Sequence, residues 1–367
     1  MHHLPHFELL AGGMEEDYGL PTSNQTEQPC LSGHLKLTLI LVNSSLMLVG
    51  TGGPLLHRVY FLHGGRRMWF SSFIQIGGWP VLLIPLWIYH RRHNMTCSSS
   101  KSVIAACCLV GLVTGVNCYL LTFGMAYLPI TTSALLSSTE VAFVSLFAFF
   151  IVKHRFTPFS VNSVVLMTLG TVVLGMGHNS IDRPVGVTKF QYSLGFLMTI
   201  VASALYGSIL PFVEMIYTKA KQKITYGMVM EMQITISAFA SAFCVVGMIV
   251  TRDFQVISKE AREYELGEEK YYTVVILGSL FWQMYNLGLM GILSCSSSLF
   301  AGVLGAALLP VSEIIAVVFL HERFNNEKGV ALVLSLWGFF SYWYGELQQM
   351  KEEKLKTKDN SVQLQSP

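Results

Sequence analysis

The chain has 367 residues, of which 52% are hydrophobic and only 13% charged, with a net charge of +2 at neutral pH and a mean hydropathy of +0.51. That is about half the charge density of an ordinary soluble domain, and the charges cluster between apolar stretches of about twenty residues, the length that crosses ~30 Å of hydrocarbon as a helix. A water-soluble globule is excluded, and so is a nucleic-acid partner, because the Lys and Arg residues form no basic arm or face. The seven cysteines lack metal-ligand spacing and fall mostly inside apolar runs, where a thiol packs as a small hydrophobe.

In chain order, residues 1–33 hold five acidic residues and no Lys or Arg, which reads as a disordered acidic tail rather than a secretory signal peptide. The apolar runs then predict spanning helices at 35–54, 69–89, 103–126, 129–152, 159–177, 192–217, 225–250, 271–293, 295–320 and 328–345. The expected fold is therefore an all-α integral membrane protein with about ten transmembrane helices filling 34–346. The one long join, RDFQVISKEAREYELGEEK at 252–270, is expected to form an amphipathic surface helix. Residues 347–367 read as a second disordered tail, and the aromatic run Tyr342, Trp343 and Tyr344 before it as interfacial anchors. Once the charged 252–270 join is discounted, Lys and Arg favour the side that holds the N-terminus, which places both termini in the cytosol.

An internal echo divides the chain. The fourth span ends in KHRF at 153–156 before TPFSVNSVVLMTLG, and the ninth ends in HERF at 321–324 before NNEKGVALVLSLWG. Two five-helix halves are implied, 34–177 and 192–346. Because each half crosses an odd number of times, the second enters from the opposite face, giving the inverted repeat of many secondary transporters.

An ionised side chain at the bilayer centre costs at least ~2.5–3.5 kcal/mol, so carboxylates inside spans need a reason. Glu140, Glu231 and Glu313 are the three, and all are candidates for proton coupling. Glu231 is the leading one; Glu214, near a span end beside Lys219, reads as a solvated interface charge. Ser133, Ser137 and Glu140 fall at i, i+4 and i+7, on one helix face. Trp282 and Asn286 are i, i+4 neighbours with Gln283 about 100° around the helix, so an indole platform and two amides are available to a flat heterocycle. Asn117 with Thr114, Tyr206 with Pro211, and Gln233 beside Glu231 complete the candidate substrate site. The breaks GTGGP at 50–54, GGWP at 77–80, Pro211 and Pro310 supply irregular backbone that suits a cavity wall. There is no P-loop for ATP and no HExxH or histidine cluster for a metal, and no cofactor is expected.

From about 35 to 346 the chain resembles the plant purine permease family of the drug/metabolite transporter superfamily. The residues that carry the resemblance include GTGGPLLHRVYFLHGGRRMWFSSF, FFIVKHRFTPFSVNSVVL, DRPVGVTKFQYSLGF, ITYGMVMEMQ and CSSSLFAGVLGAALLPVSEIIAVVFLHERFNNEKG. The resemblance implies a proton-coupled importer of adenine-like bases, with cytokinins as further substrates and pyridoxine or alkaloids taken by some relatives. It also implies ten helices, cytosolic ends and usually the plasma membrane. Position 140 carries Glu where relatives often carry Gln. A multi-span receptor or sensor that binds a cytokinin-like ligand without moving it is the alternative reading.

Overall fold

A computed structural model describes residues 33–93, 100–128, 139–153, 156–176, 188–220, 224–320 and 326–363. Among them every regular element is a helix: α1 Gly33–Gly50, α2 Gly52–Leu62, α3 Met68–Ile74, α4 Leu83–His93, α5 Lys101–Tyr127, α6 Glu140–Phe147, α7 Pro158–Met176, α8 Lys189–Lys219, α9 Tyr226–Val250, α10 Asp253–Glu263, α11 Glu268–Cys295, α12 Ser298–Leu320 and α13 Asn326–Gln363. A 3₁₀ turn over Trp79–Leu82 leads into α4, and α6 runs on into a π-turn at Ala148–Val152.

Six helical stretches among the described residues are long and apolar enough to cross a membrane: Lys36–Leu62, Met68–Arg92, Lys101–Gly124, Lys189–Lys219, Tyr226–Val250 and Glu268–Cys295. Shorter apolar helices cover Glu140–Val152, Pro158–Gly170 and Ser298–Leu308. The protein is thus an all-α, multi-pass integral membrane protein. Its outer surface agrees: Leu109, Phe150, Val250, Trp337 and Phe340 are each more than 60% exposed, which in water would be an adhesive belt and in lipid is the solvated surface. Inside the spans, hydroxyls donate back to their own helix, as Thr114 does to the Val110 carbonyl at 2.8 Å and Thr199 to Gly195 at 2.9 Å, so few polar groups need a partner elsewhere.

Helices α1 and α2 pack along α11, α5 lies between α8 and α9, α3 leans on α9, α6 rests against α8 and α12, and α7 pairs with α13. The main core runs through this bundle, and a second aromatic cluster of Tyr60, Phe70, Tyr264 and Tyr271 closes one end.

Several expectations change here. The first span was expected to end at the GTGGP break, yet helix resumes at Gly52 and continues to Leu62. Pro54 sits in the first turn of α2, where no intrahelical partner is needed, so it starts a helix rather than stopping one. The last helix passes residue 347 and stays helical to Gln363; the Lys, Glu, Gln and Leu residues of that segment are all strong helix formers. Tyr342 is not an interfacial anchor but 2% exposed, its hydroxyl 3.3 Å from the Ser297 hydroxyl and its ring stacked on Phe300. Glu214 is not a solvated charge: its carboxylate accepts the Ser298 backbone N–H at 2.6 Å, capping the first turn of α12, where N–H groups lack partners and the helix dipole favours a negative charge. The 252–270 join does contain a helix, α10, but its polar face is buried at one point rather than free (see Discussion). The expected N-terminal tail lies outside the described residues.

Candidate functional site

A cavity of about 240 Å³ lies among α2, the turn that follows α3, α5, α6, α8, α9, α11 and α12. Its wall presents mostly apolar surface, interrupted by polar and aromatic side chains, the usual make-up of a small-molecule site.

The aromatic side comes from α11 and α2. Trp282 and Tyr285 lie edge to face, ring centroids 6.1 Å apart at 76°, and the His57 ring stands 6.5 Å from Trp282 at 85°. Their position depends on the glycines at the α1–α2 break. A Cβ at Gly53 would lie 2.9 Å from the Trp282 backbone nitrogen, and one at Gly50 2.5 Å from that of Tyr285. Only glycine lets the two backbones approach this closely, so the break works mainly as a packing surface for the aromatic wall.

The amide side is a short relay. Asn286 donates from Nδ2 to the Gln75 carbonyl at 3.4 Å, and Gln75 donates from Nε2 to the Thr122 hydroxyl at 3.0 Å, which also receives the Ser72 hydroxyl at 3.1 Å. On α9, Gln233 donates to the Ser237 hydroxyl at 2.9 Å. His57 Nε2 is 3.0 Å from the Ser71 hydroxyl. Three buried atoms on cavity-lining residues have no hydrogen-bond partner: His57 Nδ1, Asn117 Oδ1 and Trp282 Nε1. Each costs about 1–3 kcal/mol, a penalty that water or a polar solute in the cavity relieves.

The acidic corner is Glu140, the first residue of α6. It lines the cavity and faces Tyr206 of α8 and Tyr285 of α11, whose side chains hydrogen-bond to each other. Among the described residues no hydrogen bond or ion pair reaches Glu140. Its placement rests on Gly207, where an added Cβ would meet Phe143 Cβ at 2.5 Å and the Val144 backbone nitrogen at 2.9 Å. Gly207→Val is expected to push α6 off α8 and lower stability by about 1–3 kcal/mol; an unchanged melting temperature in detergent would show that the contact is not tight.

Of the residues expected from sequence, the cavity brings together Glu140, Asn117, Thr114, Tyr206, Gln233, Trp282 and Asn286. It does not include Glu231 or Gln283. Glu231 is 7% exposed and its carboxylate lies 3.0 Å from His90 Nε2 of α4. Residues i and i+2 of a helix are about 200° apart, so with Gln233 on the cavity Glu231 faces away. Gln283 is 2% exposed, its Cβ 3.1 Å from where a Gly78 side chain would begin, and both its amide atoms are buried without a partner. Glu313 belongs to α12, but its side chain, like Ser137, lies outside the described residues. Sequence reasoning missed His57, Gln75, Tyr285 and Ser237. Tyr285 was within reach, since it follows Trp282 by three residues on the same face, and Ser237 likewise stands four beyond Gln233.

Fold and site together define a polytopic helical membrane protein built around a solute-sized, partly polar cavity. A family model for purine nucleobase transmembrane transport matches residues 38–352. The chain is 42% identical over 337 residues to purine permease 3 of Arabidopsis thaliana, covering 89% of this chain and 96% of that protein. It is 40% identical over 349 residues to purine permease 2 of the same plant, covering 89% and 97%. A solved structure described only as the crystal structure of a protein superposes with a TM-score of 0.58 at 15% identity, covering 83% of this chain and 98% of that one, a likeness of fold alone. The chain belongs to the plant purine permease family.

Proposed function

We propose that this chain is a proton-coupled secondary transporter that imports purine nucleobases such as adenine, and related heterocycles such as cytokinins, by alternating access. Pyridoxine and alkaloids are further candidate substrates, the plasma membrane is the proposed site, and both termini are placed in the cytosol. The observation that carries the reading is the cavity, where an indole for stacking, several amides for the edges of a base and the Glu140 carboxyl meet between spanning helices.

The packing also supports ten crossings arranged as two inverted repeats. The opening stretch of the first half, α1 with α2, packs on α11, and the opening helix of the second half, α8, packs on α5 in the same relation. Helices α3, α6 and α7 each meet the helix five crossings later, α9, α12 and α13. A pseudo-two-fold axis in the membrane plane produces that crosswise pairing.

A tenfold proton gradient supplies about 1.4 kcal/mol per proton and 100 mV a further ~2.3, together enough to concentrate a neutral solute roughly several hundredfold. Purified protein in liposomes with an imposed inward proton gradient should accumulate labelled adenine. Binding without accumulation would instead establish a receptor. We assign the coupled proton to Glu140 in preference to Glu231, because Glu140 is on the cavity wall and Glu231 is paired with His90. Glu231→Ala is expected to cost about 1–3 kcal/mol of stability through its lost buried hydrogen bond, with the pH profile of uptake unmoved. A flattened profile would return proton coupling to Glu231.

A further inference from the structure

We propose that Glu140 holds the transported proton and the donor–acceptor edge of an aminopurine at the same time, so that proton and base cross as one hydrogen-bonded unit. The inference rests on the transport reading above and assigns a single group to its two cargoes.

The placement of Glu140 carries the argument. It stands on the cavity wall with no hydrogen bond or ion pair from any described residue. It faces Tyr206 from α8 and Tyr285 from α11, two neutral hydroxyls already bonded to each other. Among the described residues the other titratable groups on the wall are His57 from α2 and Cys118 from α5, while α12 contributes Gly305 and Leu308. Among the described residues no cation balances an ionised Glu140 in this apolar enclosure, and the carboxyl needs either a proton or a ligand that brings positive charge.

A protonated carboxyl presents an O–H donor beside a C=O acceptor. An aminopurine presents an exocyclic N–H donor beside a ring-nitrogen acceptor, so the two close a ring of two hydrogen bonds. The proton rests on the carboxyl oxygen or moves to the ring nitrogen, where the pair becomes a carboxylate with an amidinium, the bidentate geometry of a guanidinium–carboxylate pair. In both forms the loaded cavity is neutral and no atom is lost. When the proton leaves, the carboxylate loses its donor and sets an acceptor against the ring-nitrogen lone pair, so the base is released. Reciprocity of linked binding then requires that the base be held more tightly with the proton present and the proton more tightly with the base present.

The test uses the full chain in proteoliposomes, comparing adenine with unsubstituted purine, which lacks the exocyclic amine. Glutamine keeps a donor beside an acceptor but cannot release a proton. Glu140→Gln is therefore expected to exchange labelled adenine, to keep its preference over purine, and to lose accumulation driven by a pH gradient. Glu140→Leu removes both hydrogen bonds and is expected to bring the adenine-to-purine preference down at least tenfold, towards unity. Glu140→Asp, which retains the proton but withdraws the carboxyl, should still accumulate adenine with weaker affinity. Undiminished pH-driven accumulation by Glu140→Gln, or an unchanged preference in Glu140→Leu, would overturn the inference while leaving transport itself intact. Failure of the wild-type protein to accumulate adenine would instead refute the transport reading.

Discussion

Replacing Trp282 by alanine should raise the adenine concentration for half-maximal uptake about tenfold or more. Stacking of a base on an aromatic side chain is worth roughly 1–3 kcal/mol by alanine substitution, and 1.4 kcal/mol is a tenfold change in affinity. Trp282 is the largest aromatic surface on the cavity, held in place by the close approach of Gly53 and flanked by Tyr285 and His57. Phenylalanine at this position should recover most of the loss, because it keeps a π-face while removing the indole N–H. Uptake at saturating adenine should change less than the half-saturating concentration, since the ring acts on binding. An uptake constant that does not move in the alanine variant would remove the stacking role, and the base would then have to sit against Tyr206 or Tyr285.

The second large effect lies outside the cavity, where α10 is fastened to the bundle. Glu260 of α10 is 7% exposed. Its Oε1 accepts the Tyr60 hydroxyl at 2.5 Å and the Tyr271 hydroxyl at 3.1 Å, and its Oε2 accepts the Arg66 backbone N–H at 3.4 Å. Arg67 lies between the two buried acids of this helix, 3.7 Å from Glu260 and 3.6 Å from Asp253. Glu260→Leu strips the acceptor from two buried phenols and leaves Arg67 with half of its compensation. The expected loss is about 2–4 kcal/mol, below the 3–5 kcal/mol of a fully buried pair because Arg67 remains partly exposed. It should appear as a lower melting temperature in detergent and as faster hydrogen exchange confined to 252–267. A variant as stable as wild type, with that segment equally protected, would mean that aromatic packing alone holds the helix. Tyr264, just beyond α10, has its hydroxyl pKa pushed up to about 12, by burial first and then by the negative charges of Glu265 and Glu260.

Much of this protein is legible in its sequence. Run length and scarcity of charge determined the membrane class, because twenty apolar residues in succession have no stable place in water. Helical spacing put Trp282 and Asn286 on one face of α11, and both line the cavity. The scarcity of ionisable groups inside spans marked Glu140 together with Glu231 and Glu313, and put Glu231 first. What periodicity cannot specify is which neighbour a given face meets. Glu231 and Gln233 are two residues apart, yet one turns to His90 and the other to the cavity, a choice made by how α9 rotates against α4 and α5. His57, Gln75, the Glu214 cap on α12 and the binding of Arg67 to Asp253 and Glu260 were likewise decided by tertiary packing. In each case the partners are distant in sequence, and only the docking of whole helices brings a donor to its acceptor.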